Sequence, residues 1–132
     1  CQTIYGTQEL NKSAMAYVSD AKNRAIVIKD KKSNKSVARG VLRLLWDAKA
    51  EKPALFLERT YASYQDPRFT VEVAQYAKKI GAKLGLPVYK SAEKSNQATL
   101  ESFGCNAPFE YSDAAGGANK GMFTIVKTKL LN

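Results

Sequence analysis

"LERTYASYQDPRFTVEVAQYAKKIGAKLG", residues 57–85, decides the fold. It reads as the end of a buried strand, a short polar loop and one long amphipathic helix over 67–84. Asp66 is suited to cap the helix, because its side-chain oxygen can accept from the free N–H groups of the first turn. Pro67 suits the first helical position, where its missing N–H is no loss. Phe69, Val73, Tyr76, Ala77, Ile80 and Leu84 recur at helical spacing and form one apolar stripe. Glu72 lies early and Lys78, Lys79 and Lys83 lie late, which complements the helix dipole. Gly85 is placed to close the helix in a left-handed C-cap. A helix N-terminus that follows a strand is also where anionic cofactors often dock.

Working outward, "PALFLERTY" (53–61) is a strand with Leu55, Leu57 and Arg59 on one face and Phe56, Glu58 and Thr60 on the other. "LPVYK" (86–90) is a short strand, and the helix is long enough to be the crossover that makes the two parallel. Upstream, "VARGVLRLLW" (37–46) alternates Val37, Arg39, Val41, Arg43, Leu45 against Ala38, Gly40, Leu42, Leu44, Trp46. That pattern predicts a strand with one face on the core and an arginine-bearing face on the other side. "RAIVIKD" (24–30) is a β-branched strand, and "KKSNKS" (31–36) is a lysine-rich hairpin loop. "AMAYV" (14–18) is a candidate first strand.

Downstream, "QATLESFG" reads as a short helix closed by Gly104. "PFEYS" (108–112) reads as a strand, "DAAGGANKG" (113–121) as a glycine-rich loop and "MFTIVKTKLL" (122–131) as a final strand.

The chain has 132 residues, 45% hydrophobic and 25% charged, which suits one globular domain. No apolar run approaches the roughly 18 residues needed to span a bilayer. It begins with Cys1 and reads as a fragment of a longer protein; a lipoprotein start and an N-terminal nucleophile are the alternatives for Cys1. There is no histidine, and the two cysteines are Cys1 and Cys105. This excludes Ser-His-Asp and Cys-His machinery, and also any zinc site with histidine or four cysteines. Low cysteine content suggests a reducing, cytoplasmic compartment.

The formal net charge is +9, with 16 Lys and 5 Arg against 12 acids. Such a balance fits an anionic partner: nucleic acid, a phosphorylated cofactor, an acidic protein or a membrane surface. Lysine outnumbers arginine, whereas specific phosphate or base recognition favours arginine's planar fork. The excess therefore also fits plain solubility.

The order is an antiparallel meander, a long helix, a parallel strand, a short helix and two more strands. With "ARGVLRLLWDAKAEKPALFLERTY" and "DPRFTVEVAQYAKKIGAKLGLPVYKS", it resembles the GCN5-related N-acetyltransferase (GNAT) fold over about residues 24–131. The expected class is a single α/β (α+β) domain with a mixed, mostly antiparallel sheet and one main helix.

The resemblance implies acetyl-CoA or another acyl-CoA in a cleft between the strands on either side of the helix, and no metal. It also implies a glycine-rich pyrophosphate loop before the helix. Here that stretch is "SYQDPRF" (63–69), without glycine. Pro67 offers no N–H, and Asp66 would occupy the donors a phosphate needs. Arg68 is the residue that would favour an anion.

By position in such a fold, Glu58 would be the general base and Tyr89 or Tyr111 the acid that protonates a leaving thiolate. Each has a plainer role. Glu58 can pair across strands with Arg39 or Arg43. The tyrosines can pack in the core with the hydroxyl at the surface. Tyr61 and Tyr64 flank the junction and can stack on a base or adenine ring, or cover the helix start. "PFEYSDAAGG" (108–117) combines Glu110, Tyr111 and Asp113 with a glycine pair, as a ligand loop or a simple turn. Cys105 lacks a basic neighbour in sequence and reads as an unreactive thiol. Two functions follow: an acyltransferase-like domain, active or degenerate, or a basic non-catalytic module that contacts an acidic partner or nucleic acid.

Overall fold

The computed structural model describes residues 19–103, 110–119 and 121–131. Over these the chain is a mixed sheet with one long helix on one face. The meander is β1 (Asn23–Lys29), β2 (Ser36–Asp47) and β3 (Lys52–Leu57), followed by a two-residue strand β4 (Tyr61–Ala62). The helix α1 (Pro67–Leu84) leads to β5 (Val88–Ser91). Five short strands complete the chain: β6 (Leu100–Glu101), β7 (Glu110–Ser112), β8 (Gly117–Asn119), β9 (Thr124–Ile125) and β10 (Thr128–Leu130).

Strand β2 organises the sheet. One edge pairs with β3 over Leu42–Asp47 and with β4 at Ala38 and Arg39. The other edge pairs with β1 and, at Trp46 and Asp47, with β6. Strand β5 lies parallel to β3, with Leu55, Phe56 and Leu57 opposite Val88, Tyr89 and Lys90. This is the arrangement a helical crossover produces, and β10 closes that side antiparallel to β5. The mixed sheet with one main helix is the expected class.

The period-2 alternation of β2 and β3 sorts the core into two clusters. Toward α1, Leu42, Leu55 and Leu57 meet Ile26, Val73, Ala77 and Val88. On the opposite face, Leu45, Ala54 and Phe56 meet Ala98, Leu100, Phe123 and Ile125.

The helix begins and ends as its residues dictate. Asp66 sits in extended backbone and accepts from the Arg68 N–H, and Pro67 occupies the first turn. Gly85 closes the helix at φ 65°, a left-handed conformation open to glycine at little cost. Val73, Ala77 and Gly81 form the buried stripe, whereas Tyr76 and Leu84 are exposed. Gly81 permits this approach: a Cβ there would lie 2.8 Å from the Leu86 carbonyl oxygen and closer still to Val88 Cγ2.

Three expectations are corrected. "QATLESFG" is not helical over its described part; Leu100 and Glu101 form β6 between β2 and β9, and Gly104 lies outside the described residues. "MFTIVKTKLL" is not one strand but two, β9 and β10, which join different edges of the sheet. "DAAGGANKG" is not loop throughout, since Gly117–Asn119 form β8 against β7; on the arginine-bearing face of β2, Arg43 and Asp47 are buried whereas Arg39 is exposed. Residues 14–18 and Cys105 also lie outside the described residues.

Candidate functional site

Glu58 follows β3 directly and its N–H donates to the Val41 carbonyl, so the chain still tracks β2 there. Its side chain points to the face that Arg43 occupies. Arg43 is 0% exposed and Glu58 7%. Arg43 Nε donates to Glu58 Oε1 at 2.9 Å, and Arg43 Nη1 donates to Asn23 Oδ1 at 3.3 Å. Arg43 Nη2 donates to the Tyr111 carbonyl, and the Ser112 hydroxyl donates to Glu58 Oε1.

A buried arginine is tolerated only when charge and donors are met together, and here one carboxylate, one amide and one carbonyl do so. Glu58 Oε2 is buried with no hydrogen-bond partner among the described residues. The cross-strand reading of Glu58 is therefore realised, with Arg43 and not Arg39 as its partner.

The same network ties the β7–β8 hairpin to the sheet. Asp113 follows β7 in a 3-10 turn (Asp113–Ala115) and accepts from two tyrosines. Tyr111 OH donates to its Oδ1 at 2.8 Å, and Tyr61 OH donates to its Oδ2. Arg39 and Arg59 lie over the Tyr61 ring, with guanidinium carbons 6.0 and 5.7 Å from its centre. Arg39, Glu58, Arg59, Tyr61, Tyr111 and Asp113 line one small cavity of about 20 Å3. That is space for about one water and not for a cofactor.

At the helix start the geometry is self-contained. Arg68 Nε lies 3.0 Å from both oxygens of Asp66, and Nη2 lies 2.6 Å from Oδ2. These side-chain hydrogen bonds, with the Arg68 N–H, hold the Asp66 carboxyl below the usual aspartate range. The Asp66 carboxylate in turn raises the Arg68 guanidinium above its ordinary value. Arg68 is thus already paired with the carboxylate that caps its own helix. Tyr64 is 57% exposed and meets Phe69 edge to face at 5.2 Å. A groove of about 420 Å3 runs along this loop, lined in part by Arg59, Tyr61, Ala62 and Tyr64.

Tyr89 stands apart from these groups. It lies opposite Phe56 and packs on the second core cluster. Burial, with the Asp47 carboxylate, pushes its hydroxyl above the ordinary tyrosine value.

Of the six residues singled out from the sequence, the fold thus gathers Glu58, Tyr61 and Tyr111. Tyr64 lies on the neighbouring loop, Arg68 in the first turn of α1, and Tyr89 across from Phe56. Arg39, Arg43, Arg59, Ser112 and Asp113 complete the cluster. The arginines were visible as a pattern on β2 and just after β3. The partnership with Asp113 was not, because it spans 52 residues of chain.

Among the described residues, no group of three or more metal-ligating side chains is clustered, and no helix is long and apolar enough to cross a membrane. Comparison with family models, curated proteins and solved structures gives no match.

Proposed function

We propose that this domain is a non-catalytic binding module on an acyltransferase-like frame, and that it docks an anionic partner through the face carrying Tyr61. One observation carries the reading. The groups that acyl transfer would use are engaged by the protein itself, while the cations beside them are exposed. Glu58 is held in a buried pair with Arg43, and the helix N-terminus is capped by Asp66 with Arg68 folded onto it. Arg39, Arg59 and the hairpin residues Lys29, Lys31, Lys32 and Lys35 are exposed. A carboxylate whose oxygen is held by a buried guanidinium and a hydroxyl is not positioned to reach an acceptor amine, whereas an exposed cationic face raises the local concentration of anions.

The test is affinity for a heparin fragment measured against salt concentration. Binding that weakens with salt, and weakens further when the four hairpin lysines become glutamine, supports the reading. No measurable affinity at low salt, or a flat dependence on salt, overturns it.

A second reading has its own support. Strands β3 and β5 pair over only three residues, after which the chain from β3 turns along β2 as β4. Strands that part in this way leave a cleft, and in acyltransferase-like folds an acyl-CoA occupies it. Acetyl-CoA at 100 times its Kd would stabilise the domain by about 2.7 kcal/mol. A thermal shift of that size, retained in Glu58→Gln, would favour a binding cleft; absence of any shift at millimolar ligand removes this reading.

A further inference from the structure

We infer that the anionic partner is single-stranded nucleic acid, with bases stacked at Tyr64 and on the Arg39–Tyr61–Arg59 layer and phosphates drawn toward the β1–β2 hairpin. This names the ligand class for the binding-module reading and rests on it.

Aromatic rings and guanidinium planes are the side-chain surfaces on which unpaired bases stack. Both occur here within one short stretch. Tyr61 is 40% and Tyr64 57% exposed. Tyr64 is braced edge-on by Phe69 and stays 57% exposed, so its ring is held without being covered. Tyr61 is held in place at its hydroxyl by Asp113, with Arg39 and Arg59 layered on its ring. Tyr61 and Tyr64 are three residues apart, so their Cα atoms are separated by at most about 11 Å. That distance suits neighbouring nucleotides on one strand.

Charge orders the phosphates. Arg39 and Lys35 lie on the same side of the hairpin turn, four residues apart and about 13 Å along an extended chain. Lys29 pairs with Ser36, so the lysines of both hairpin arms cluster beyond the stacking layer. The nearby acids offer little opposition. Glu58 is buried on Arg43 and Asp66 is bound by Arg68; Asp30 is an exposed carboxylate at the hairpin, outnumbered there by Lys29, Lys31, Lys32 and Lys35. Asp113 remains as an exposed carboxylate at the Tyr111 end, which directs phosphates toward the lysines and away from the cavity.

An acidic peptide would use the cations and leave the exposed rings unexplained. A duplex hides its base faces and could not use them either.

The test compares a fluorescent oligothymidylate of about ten nucleotides, an abasic oligonucleotide of equal length, the same sequence as duplex, and polyglutamate, all by anisotropy. The oligothymidylate should bind roughly tenfold or more tighter than the abasic chain, as expected for at least one stacked base. Tyr64→Leu should remove most of that difference and leave abasic binding unchanged. Replacing the four hairpin lysines by glutamine should weaken both oligonucleotides and reduce the salt slope.

Equal binding of abasic and base-bearing chains, or equal binding of duplex and single strand, overturns the inference while the anionic-partner reading stands. Polyglutamate bound as tightly as oligothymidylate overturns it in favour of an acidic protein partner. No affinity for any of the four polyanions overturns both readings.

Discussion

Removing either member of the Arg43–Glu58 pair should cost about 3–5 kcal/mol of stability, because both groups are buried and each would lose its contact with the opposite charge. Arg43 is fully buried and Glu58 nearly so, and their contact is 2.9 Å. With about 4 Å between charge centres and an effective dielectric near 20, the pair attraction is about 4 kcal/mol. Glu58→Leu removes the carboxylate that Arg43 Nε reaches. Arg43→Met leaves Glu58 with the Ser112 hydroxyl, and also removes one of the donors that hold the β7–β8 hairpin.

Each single variant should therefore lower the urea midpoint with m unchanged, and lower Tm by roughly 10–20 °C for a domain of this size. The double variant should be about as stable as the worse single one, giving a coupling of about 3 kcal/mol. Two outcomes would refute the reasoning. One is single variants within about 1 kcal/mol of the parent, which would mean the pair is solvated. The other is a double variant that loses the sum of the singles, which would mean the residues do not act on each other.

Three further predictions concern single positions. Gly81→Ala should destabilise the domain by about 1–3 kcal/mol, because the added methyl meets Val88 and the Leu86 carbonyl. At an exposed helix position the same change would stabilise by about 1 kcal/mol, so the sign of the change in urea midpoint is decisive. Asp66 has a folded pKa below its ordinary 3.8, so its stabilisation is complete above that value and is lost as pH falls through the lower folded value. Asp66→Ala should accordingly lower Tm at neutral pH and show a shallower further loss on acidification below about pH 4. Tyr89 has a folded pKa above 10.0, so its contribution is complete below that pH and is lost as pH rises through the folded value. Tyr89→Phe should remove a phase that titrates above the ordinary tyrosine range from the tyrosinate absorbance curve and make stability less sensitive to alkali.

Local chemistry was legible wherever a residue acts on its neighbours in sequence. The Asp66–Pro67 start and the Gly85 stop of α1 were readable because capping involves backbone within a few residues. The parallel β3–β5 pairing was readable because a long helix between two strands permits it. The same limit explains the misreadings. "QATLESFG" has helical composition, yet Leu100 and Glu101 are captured by β2 and β9, an interaction with residues far along the chain. The stripe of α1 was placed too broadly, because Gly81, with no side chain to mark it as apolar, is the residue that lies closest to β5.

For the site, the sequence by itself determined which groups were present: two arginines on β2, a carboxylate after β3, tyrosines on either side of the helix start, and no histidine. It also disfavoured a pyrophosphate seat, since Asp66 and Pro67 remove the donors by local chemistry alone. Only the tertiary structure decided how the rest are used. Arg39 and Arg43 are equivalent in the alternation of β2, yet one is exposed over Tyr61 and the other is buried on Glu58. The difference arises because the segment at 111–113 crosses over Arg43 and brings a carbonyl, a hydroxyl and Asp113 to this face. Burial depends on what covers a strand, and that cover comes from about 70 residues further along the chain.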